Sequence, residues 1–299
     1  KLFDGLVDYD VGMVPVPALA ESWEISEDGK RITFHLREGV TWHDGEPFTS
    51  HDVAFTVMNI LKVHHGRGRA TFANVTDVET PDELTAVFVL SEPAPAMMKA
   101  LNASESPMMP AHIYEGTDIM QNPANTQPVG TGAFKLAEYT RGESIVMERN
   151  PDYWDEGKPY IDKLVIRYVP DGATRAAMLE SGEADLVASS LIPPLETLRL
   201  EAMPEFEVTR RGYEVSSSMH LLDFNLRNEI LSNPTVRQAF AHMIDTNWIT
   251  ENIWFGFGYP ATGFNDTAPT ENYALALRDA RLFSDSVTHS SCLSSIPGL

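Results

Sequence analysis

Along Arg31-Ile32-Thr33-Phe34-His35-Leu36-Arg37 apolar and polar side chains alternate at period two, the pattern of a strand with one buried face. Glu27-Asp28-Gly29-Lys30 before it supplies a turn, because glycine accepts a positive φ without a Cβ clash. Trp23-Glu24-Ile25 is therefore expected to pair antiparallel with that strand. Asp44-Gly45 turns the chain again, Ser50 is placed to cap a helix, and Val53, Val57, Ile60 and Leu61 form its apolar face. Thr85 to Leu90 has strand propensity, and the stretch from Pro93 to Pro95 breaks it before an apolar helix that carries Met97, Met98 and Leu101.

The turn formers from Asn122 to Pro128 mark a crossing out of this first α+β region. Beyond them, Ala133 to Tyr139 and Ser144 to Arg149 form a hairpin around Arg141-Gly142, and Lys163 to Val169 is a further strand. Asp171 caps a helix through Ala173, Ala176, Ala177 and Met178, and Gly182 stops it. Asp185-Leu186-Val187 is expected as a short strand and Leu195 to Ala202 as a helix, an order that predicts parallel pairing in a mixed sheet. Met219 to Asn225 reads as a strand leading toward another lobe, with helices over Val236 to Ile244 and Trp248 to Trp254. Ser284 to Leu299 is serine-rich and continues none of these patterns.

At 299 residues the chain exceeds what one core usually serves, so two or more lobes are expected. No apolar run is long enough to span a bilayer, and the chain begins at Lys1 without a charged, apolar leader, as a processed or partial chain would. The formal charge of −21 opposes nucleic acid and anionic membrane surfaces as partners. Only 7 of the 22 basic residues are lysines, which fits a saline habitat as well as it fits ordinary solubility; the two readings stay open. Cys292 is the single cysteine, so no intrachain disulfide and no cysteine zinc cluster can form.

Among candidate chemistries, His43-Asp44 and His51-Asp52 place imidazoles beside carboxylates, yet a turn-fixing role for His43 is the stronger reading and no metal is expected. His64-His65, next to Gly66-Arg67-Gly68, reads as a solvated loop. No Gly-x-Ser-x-Gly elbow, His-Glu-x-x-His helix or Walker-type loop is present, while paired carboxylates for glycoside hydrolysis stay an open alternative. Gly130-Thr131-Gly132 lacks the third glycine of a phosphate cradle and reads as a tight structural turn. Trp23, Trp42, Tyr153 and Trp154 are expected to pack lobes rather than stack on a ligand.

The stretch from Pro17 to Val53, PALAESWEISEDGKRITFHLREGVTWHDGEPFTSHDV, resembles the signature of the family 5 extracellular solute-binding proteins, which serve bacterial ABC importers of dipeptides, oligopeptides and nickel. Five further segments, Leu2-Phe3-Asp4-Gly5-Leu6-Val7, Pro128 to Phe134, Asn150-Pro151-Asp152-Tyr153-Trp154, Ser181 to Asp185 and Pro234 to Phe240, are similar to that family in the same order. The resemblance runs from residue 1 to residue 263, and Ala133 departs from the usual proline.

The resemblance implies a mixed α/β (α+β) fold of the periplasmic-binding-protein type II, with the extra small lobe of the peptide and nickel group and an incomplete second large lobe. Residues 1–14 and 128–215 would form the first large lobe, 15–127 the small lobe and 216–263 the start of the second large lobe, leaving 264–299 as an atypical tail. It implies no enzyme and no cofactor. The partners would be a peptide or other small solute and the permease subunits of an ABC transporter, with the chain a monomer in the periplasm, or a membrane-anchored lipoprotein outside a Gram-positive cell. Ser216, Ser217, Ser218, Met219 and His220 are the candidate ligand-facing residues, since a strand edge at a lobe junction can bond an extended peptide backbone. Hinges are expected at Thr209 to Gly212 and Asn225 to Asn228. Residues that pair with a peptide's termini in related proteins lie past Leu299, so weak binding is expected of the chain by itself. The competing readings are a periplasmic hydrolase and an inactive fragment.

Overall fold

The computed structural model describes residues 1–10, 12–188, 191–209, 219–220, 222, 224–260 and 277–278. They fall into two compact units, one over Lys1–Tyr168 and one that begins at Val169.

In the first unit the short strands β1 (Val7–Tyr9) and β2 (Pro15–Pro17) pair antiparallel, an element that the hydropathy pattern does not announce. Four antiparallel strands follow, β3 (Ala20–Ile25), β4 (Arg31–Leu36), β5 (Val75–Asp82) and β6 (Thr85–Leu90), in the order β3-β4-β6-β5. The hairpin has the expected register, with Trp23 opposite Phe34 and Ile25 opposite Ile32, and Gly29 takes φ +67° in its turn. The period-two alternation has its expected result, since Ile32, Phe34 and Leu36 are buried while Arg31 faces water. Phe34 and Phe88 meet with ring centroids 5.0 Å apart, an arrangement that adds to their area burial.

Helix α1 (Ser50–Phe55) lies on β5 and β6 and runs straight into a π-helical segment, Thr56–Leu61. The four residues expected on the apolar face, Val53, Val57, Ile60 and Leu61, are all buried. The cap is Thr49 and not Ser50. Ser50 is itself buried, its N–H donating to Glu83 O at 2.8 Å and its Oγ to Asp82 O at 2.5 Å, so its hydroxyl ties the helix to the β5–β6 turn. The one-turn helix α2 (Gly68–Thr71) makes His65 a buried residue rather than a solvated one, because His65 Nδ1 accepts the Gly68 N–H at 3.1 Å. Met97 and Met98 are buried on a 3₁₀ turn, Pro95–Ala100, where a longer helix was expected. Helix α3 (Ala111–Tyr114) packs into a second small cluster with Phe55, Ile60 and Met109.

A separate antiparallel sheet, β7 (Phe134–Thr140), β8 (Ser144–Arg149) and β9 (Lys163–Arg167), ends the first unit, and Gly142 turns its hairpin at φ +74°. Pairing aligns Leu136, Met147 and Leu164 in one row, and Tyr139, Ile145 and Ile166 in the next. Met147 is buried, whereas Ile166, Val165 and Tyr168 are exposed.

In the second unit α4 (Gly172–Ser181) has the expected ends: Asp171 Oδ1 accepts the Thr174 N–H at 2.7 Å and Gly182 takes φ +73°. It packs on α5 (Pro194–Glu201). The expected strand at Asp185-Leu186-Val187 is not seen: these residues pair with no strand among the described residues, and Leu186 is exposed. The predicted parallel pairing is likewise not seen, every described ladder being antiparallel. Helices α6 (Pro234–Met243) and α7 (Thr246–Asn252) match the two expected, capped by Asn233 and Asp245. Short strands β10 (Met219–His220), β11 (Tyr259–Pro260) and β12 (Leu277–Arg278) form a sheet in the order β10-β12-β11.

Candidate functional site

Met219 and His220 make up β10, whose backbone pairs antiparallel with β12, Met219 opposite Arg278 and His220 opposite Leu277. Ser216, Ser217 and Ser218 lie outside the described residues, as do Arg210, Arg211 and Gly212 of one expected hinge. At the other hinge the chain turns tightly, Asn228 N–H donating to Asn225 O at 3.1 Å and Arg227 N–H to Asn225 Oδ1 at 3.1 Å. These bonds are local, both donors lying within three residues of Asn225.

Four of the six family-like segments lie in the first unit. The opening segment runs along Gly130-Thr131-Gly132: Gly132 N–H donates to Leu2 O at 3.0 Å and Phe134 N–H to Lys1 O at 3.2 Å. Only glycine fits there. A Cβ on Gly130 would strike the Leu2 carbonyl oxygen and one on Gly132 the Lys1 carbonyl oxygen. Asp4 then becomes a hub, its carboxylate accepting from Trp154 Nε1 at 3.0 Å, Thr131 Oγ1 at 3.1 Å and Tyr153 OH at 3.5 Å. Burial pushes Asp4 above the usual carboxylate range even though these donors pull the other way. The neighbouring burial and negative charge push Tyr153 up as well. Arg37 stacks its guanidinium 4.5 Å from the centre of the Trp154 ring while its Nε donates to Ala18 O at 3.2 Å. Tyr153 and Trp154 thus act as framework, as expected, and so does Trp42, fully buried edge-on to Phe48 at 5.7 Å.

His43 also joins this region. Its Nδ1 accepts the Gly130 N–H at 3.2 Å and its Nε2 donates to Gly132 O at 3.0 Å, which goes beyond fixing a turn. Asp44 pairs with His112 at 2.8 Å and His51 with Glu115 at 3.0 Å. Asp52 goes elsewhere: buried, it accepts the Thr49 N–H at 2.9 Å and the Trp42 indole N–H at 3.4 Å on Oδ2, and the Ala111 N–H at 2.8 Å on Oδ1. The two His-Asp pairs of the sequence are therefore split, each of the four side chains bonding partners of its own, and no group of three metal-ligating side chains occurs among the described residues. Sequence reasoning missed Asp4 and Asp52 as hubs; an acidic residue within an apolar, glycine-rich run such as Leu2 to Leu6 was the available signal.

Comparison with known proteins agrees with this framework. The family model described as bacterial extracellular solute-binding proteins, family 5, matches residues 14–280. A Brucella ovis protein provisionally named an ABC transporter peptide-binding protein is 34% identical over 268 residues, spanning 87% of this chain and 48% of that one. The dipeptide-binding protein of Escherichia coli is 28% identical over 307 residues, spanning 91% of this chain and 55% of its own. The structure of the periplasmic binding protein AgaA of Agrobacterium tumefaciens R10 in complex with agropinic acid, 30% identical, superposes with a TM-score of 0.70 over 99% of this chain and 58% of that one. The chain thus spans about half the length of the curated relatives it matches. No helix among the described residues is long and apolar enough to cross a membrane. With a match over residues 14–280 and the type II fold shared with its structural relatives, the chain belongs to the bacterial extracellular solute-binding proteins of family 5.

Proposed function

We propose that this chain is part of the substrate-binding component of an ABC importer, one that captures a peptide or similar solute between two lobes and delivers it to a membrane permease. The match to the family model over residues 14–280 carries this reading. Residues 1–14 and 128–215 belong to the first large lobe, 15–127 to the small lobe and 216–263 to the second large lobe, with 264–299 an atypical tail. Ser216, Ser217, Ser218, Met219 and His220 face the ligand. The placement of Met219 and His220 in a strand paired with only β12 among the described residues supports a role for the outer backbone edge in bonding an extended peptide. Closure of the lobes follows from the ligand touching both sides only in the closed form. The protein works as a monomer in the periplasm, or outside the cell as an anchored lipoprotein, and it transforms nothing.

Peptide is the favoured cargo because the Brucella ovis and Escherichia coli relatives bear peptide-binding names. Thermal melts of this chain, and of one carried to the length of its relatives, against di- to pentapeptides, agropinic acid, sugars and nickel test it. At a hundredfold excess over Kd, a peptide should raise the midpoint of the longer chain by about 5–10 °C. Hydrolysis of any panel member, or no shift from any peptide, would overturn the proposal.

A further inference from the structure

His43 sits in the turn that Gly45 closes at φ +95°, and both of its ring nitrogens are engaged by one short segment of the chain. Nδ1 faces a backbone N–H and so must be an acceptor, and Nε2 faces a carbonyl and so must carry the proton. Only the neutral ring with its proton on Nε2 meets both demands. Two further bonds reinforce the seam, His43 N–H donating to Gly130 O at 2.8 Å and the Asn150 side-chain Nδ2 to Gly132 O at 3.1 Å. Gly130 cannot recede, because Leu2 is packed directly against its α-carbon. We propose that His43 is an acid-sensitive staple: its neutral ring locks the turn before α1 to the Gly130–Gly132 segment that leads into β7, and a second proton on the ring opens that lock.

The charges around the ring point the same way. Burial is the leading influence and disfavours a cation; the hydrogen bond to Gly132 O favours it, Lys135 on β7 and the amino group of Lys1 oppose it, and Asp44 favours it. Lys135 is fixed there, its Nζ donating to His43 O at 3.1 Å and pairing with Asp152 at 3.6 Å. Asp44 is drawn to His112 at 2.8 Å. His43 is therefore held below the ordinary imidazole value of 6.5. A base whose folded value is depressed contributes stability that is complete above its unfolded value and is lost as pH falls below it. A charged ring would set an N–H against the Gly130 N–H, and that segment also seats Leu2 and presents Thr131 to Asp4.

Melting curves of the wild-type chain and of His43→Gln between pH 7.5 and 5.0 test this, since glutamine keeps a donor near Gly132 and carries no titratable ring. All other titratable groups are common to both proteins, so the gap between their midpoints isolates His43. The gap should shrink by about 2–6 °C on acidification. Nitrogen-15 NMR of histidine-labelled wild type gives a second reading that needs no variant: the Nε2–H tautomer, a midpoint below 6.5, and a Gly130 amide resonance that moves with it. A gap constant with pH, an Nδ1–H tautomer, or a ring titrating at or above 6.5 would each overturn the proposal.

Discussion

The buried carboxylate of Asp52 and the half-buried one of Asp4 should respond differently to the same Asp→Asn change, and the geometry says why. Asp52 has the Thr49 hydroxyl 3.5 Å from Oδ2 and receives three N–H donors, Thr49 N–H and Trp42 Nε1–H on that same oxygen and Ala111 N–H on the other. None of these N–H donors can reverse. In Asp52→Asn the amide NH₂ must point at Ala111 or at Thr49 and Trp42, leaving at least one backbone N–H facing another donor. An unsatisfied buried donor costs about 1–3 kcal/mol, and the remaining bond loses its charge assistance, so the total is about 2–4 kcal/mol. At about 2–4 °C per kcal/mol for a unit of this size, the midpoint should fall by about 5–15 °C.

Asp4 differs, since two of its three donors are the hydroxyls of Thr131 and Tyr153, which rotate and accept as readily as they donate. Asp4→Asn can keep the Trp154 bond with its oxygen and turn its NH₂ to a hydroxyl, and it removes a charge that burial disfavours. Its change at pH 7 should stay within about 1 kcal/mol. Urea unfolding of both variants, followed by tryptophan fluorescence, measures the contrast. An Asp52→Asn protein within about 1 kcal/mol of wild type, or an Asp4→Asn protein that falls as far, would refute the donor-counting logic.

Gly130→Ala should destabilise by about 3 kcal/mol, because the new methyl meets the Leu2 backbone and not a pliable side chain; a urea midpoint unchanged from wild type would contradict it. Thr56 is fully buried, its hydroxyl donating to Met109 O at 3.2 Å and accepting the Met109 N–H at 2.9 Å. Thr56→Val should therefore cost about 2–4 kcal/mol while Thr56→Ser, which keeps both bonds, costs about 1 kcal/mol; equal losses would place the effect in packing instead.

The sheet of the first unit was legible because its signals are local. Arg31 to Leu36 alternates, Asp28-Gly29 turns, and each states its conformation without reference to the rest of the chain. The same holds for α4, where Asp171 and Gly182 are short-range caps. What stayed hidden depends on distant partners. The π segment after α1 is set where Thr56 reaches Met109, 53 residues on, and the shift from Ser50 to Thr49 as cap reflects the β5–β6 turn claiming Ser50. Asp185 to Val187, expected as a strand, pairs with none among the described residues. The hubs Asp4 and Asp52 draw on donors as far as 150 and 59 residues away, so their full role shows only in three dimensions. The ligand-facing proposal rests on an expected strand edge at a lobe junction, and Met219 and His220 are its only members among the described residues.

The seat of the opening segment has a consequence for how the molecule is made. Asp4 finds its donors 127 and 150 residues later, and the carbonyls of Lys1 and Leu2 find theirs at Phe134 and Gly132. During synthesis at about 5–20 residues per second, the first residues must wait about 10–30 s for the ribosome to deliver Trp154. The Asp4 carboxylate and the Lys1 and Leu2 carbonyls thus stay unmatched until those residues emerge, long after Leu6 has met Ala20, and assembly must then lay them against Gly130 and Gly132, which carry no side chain in the way.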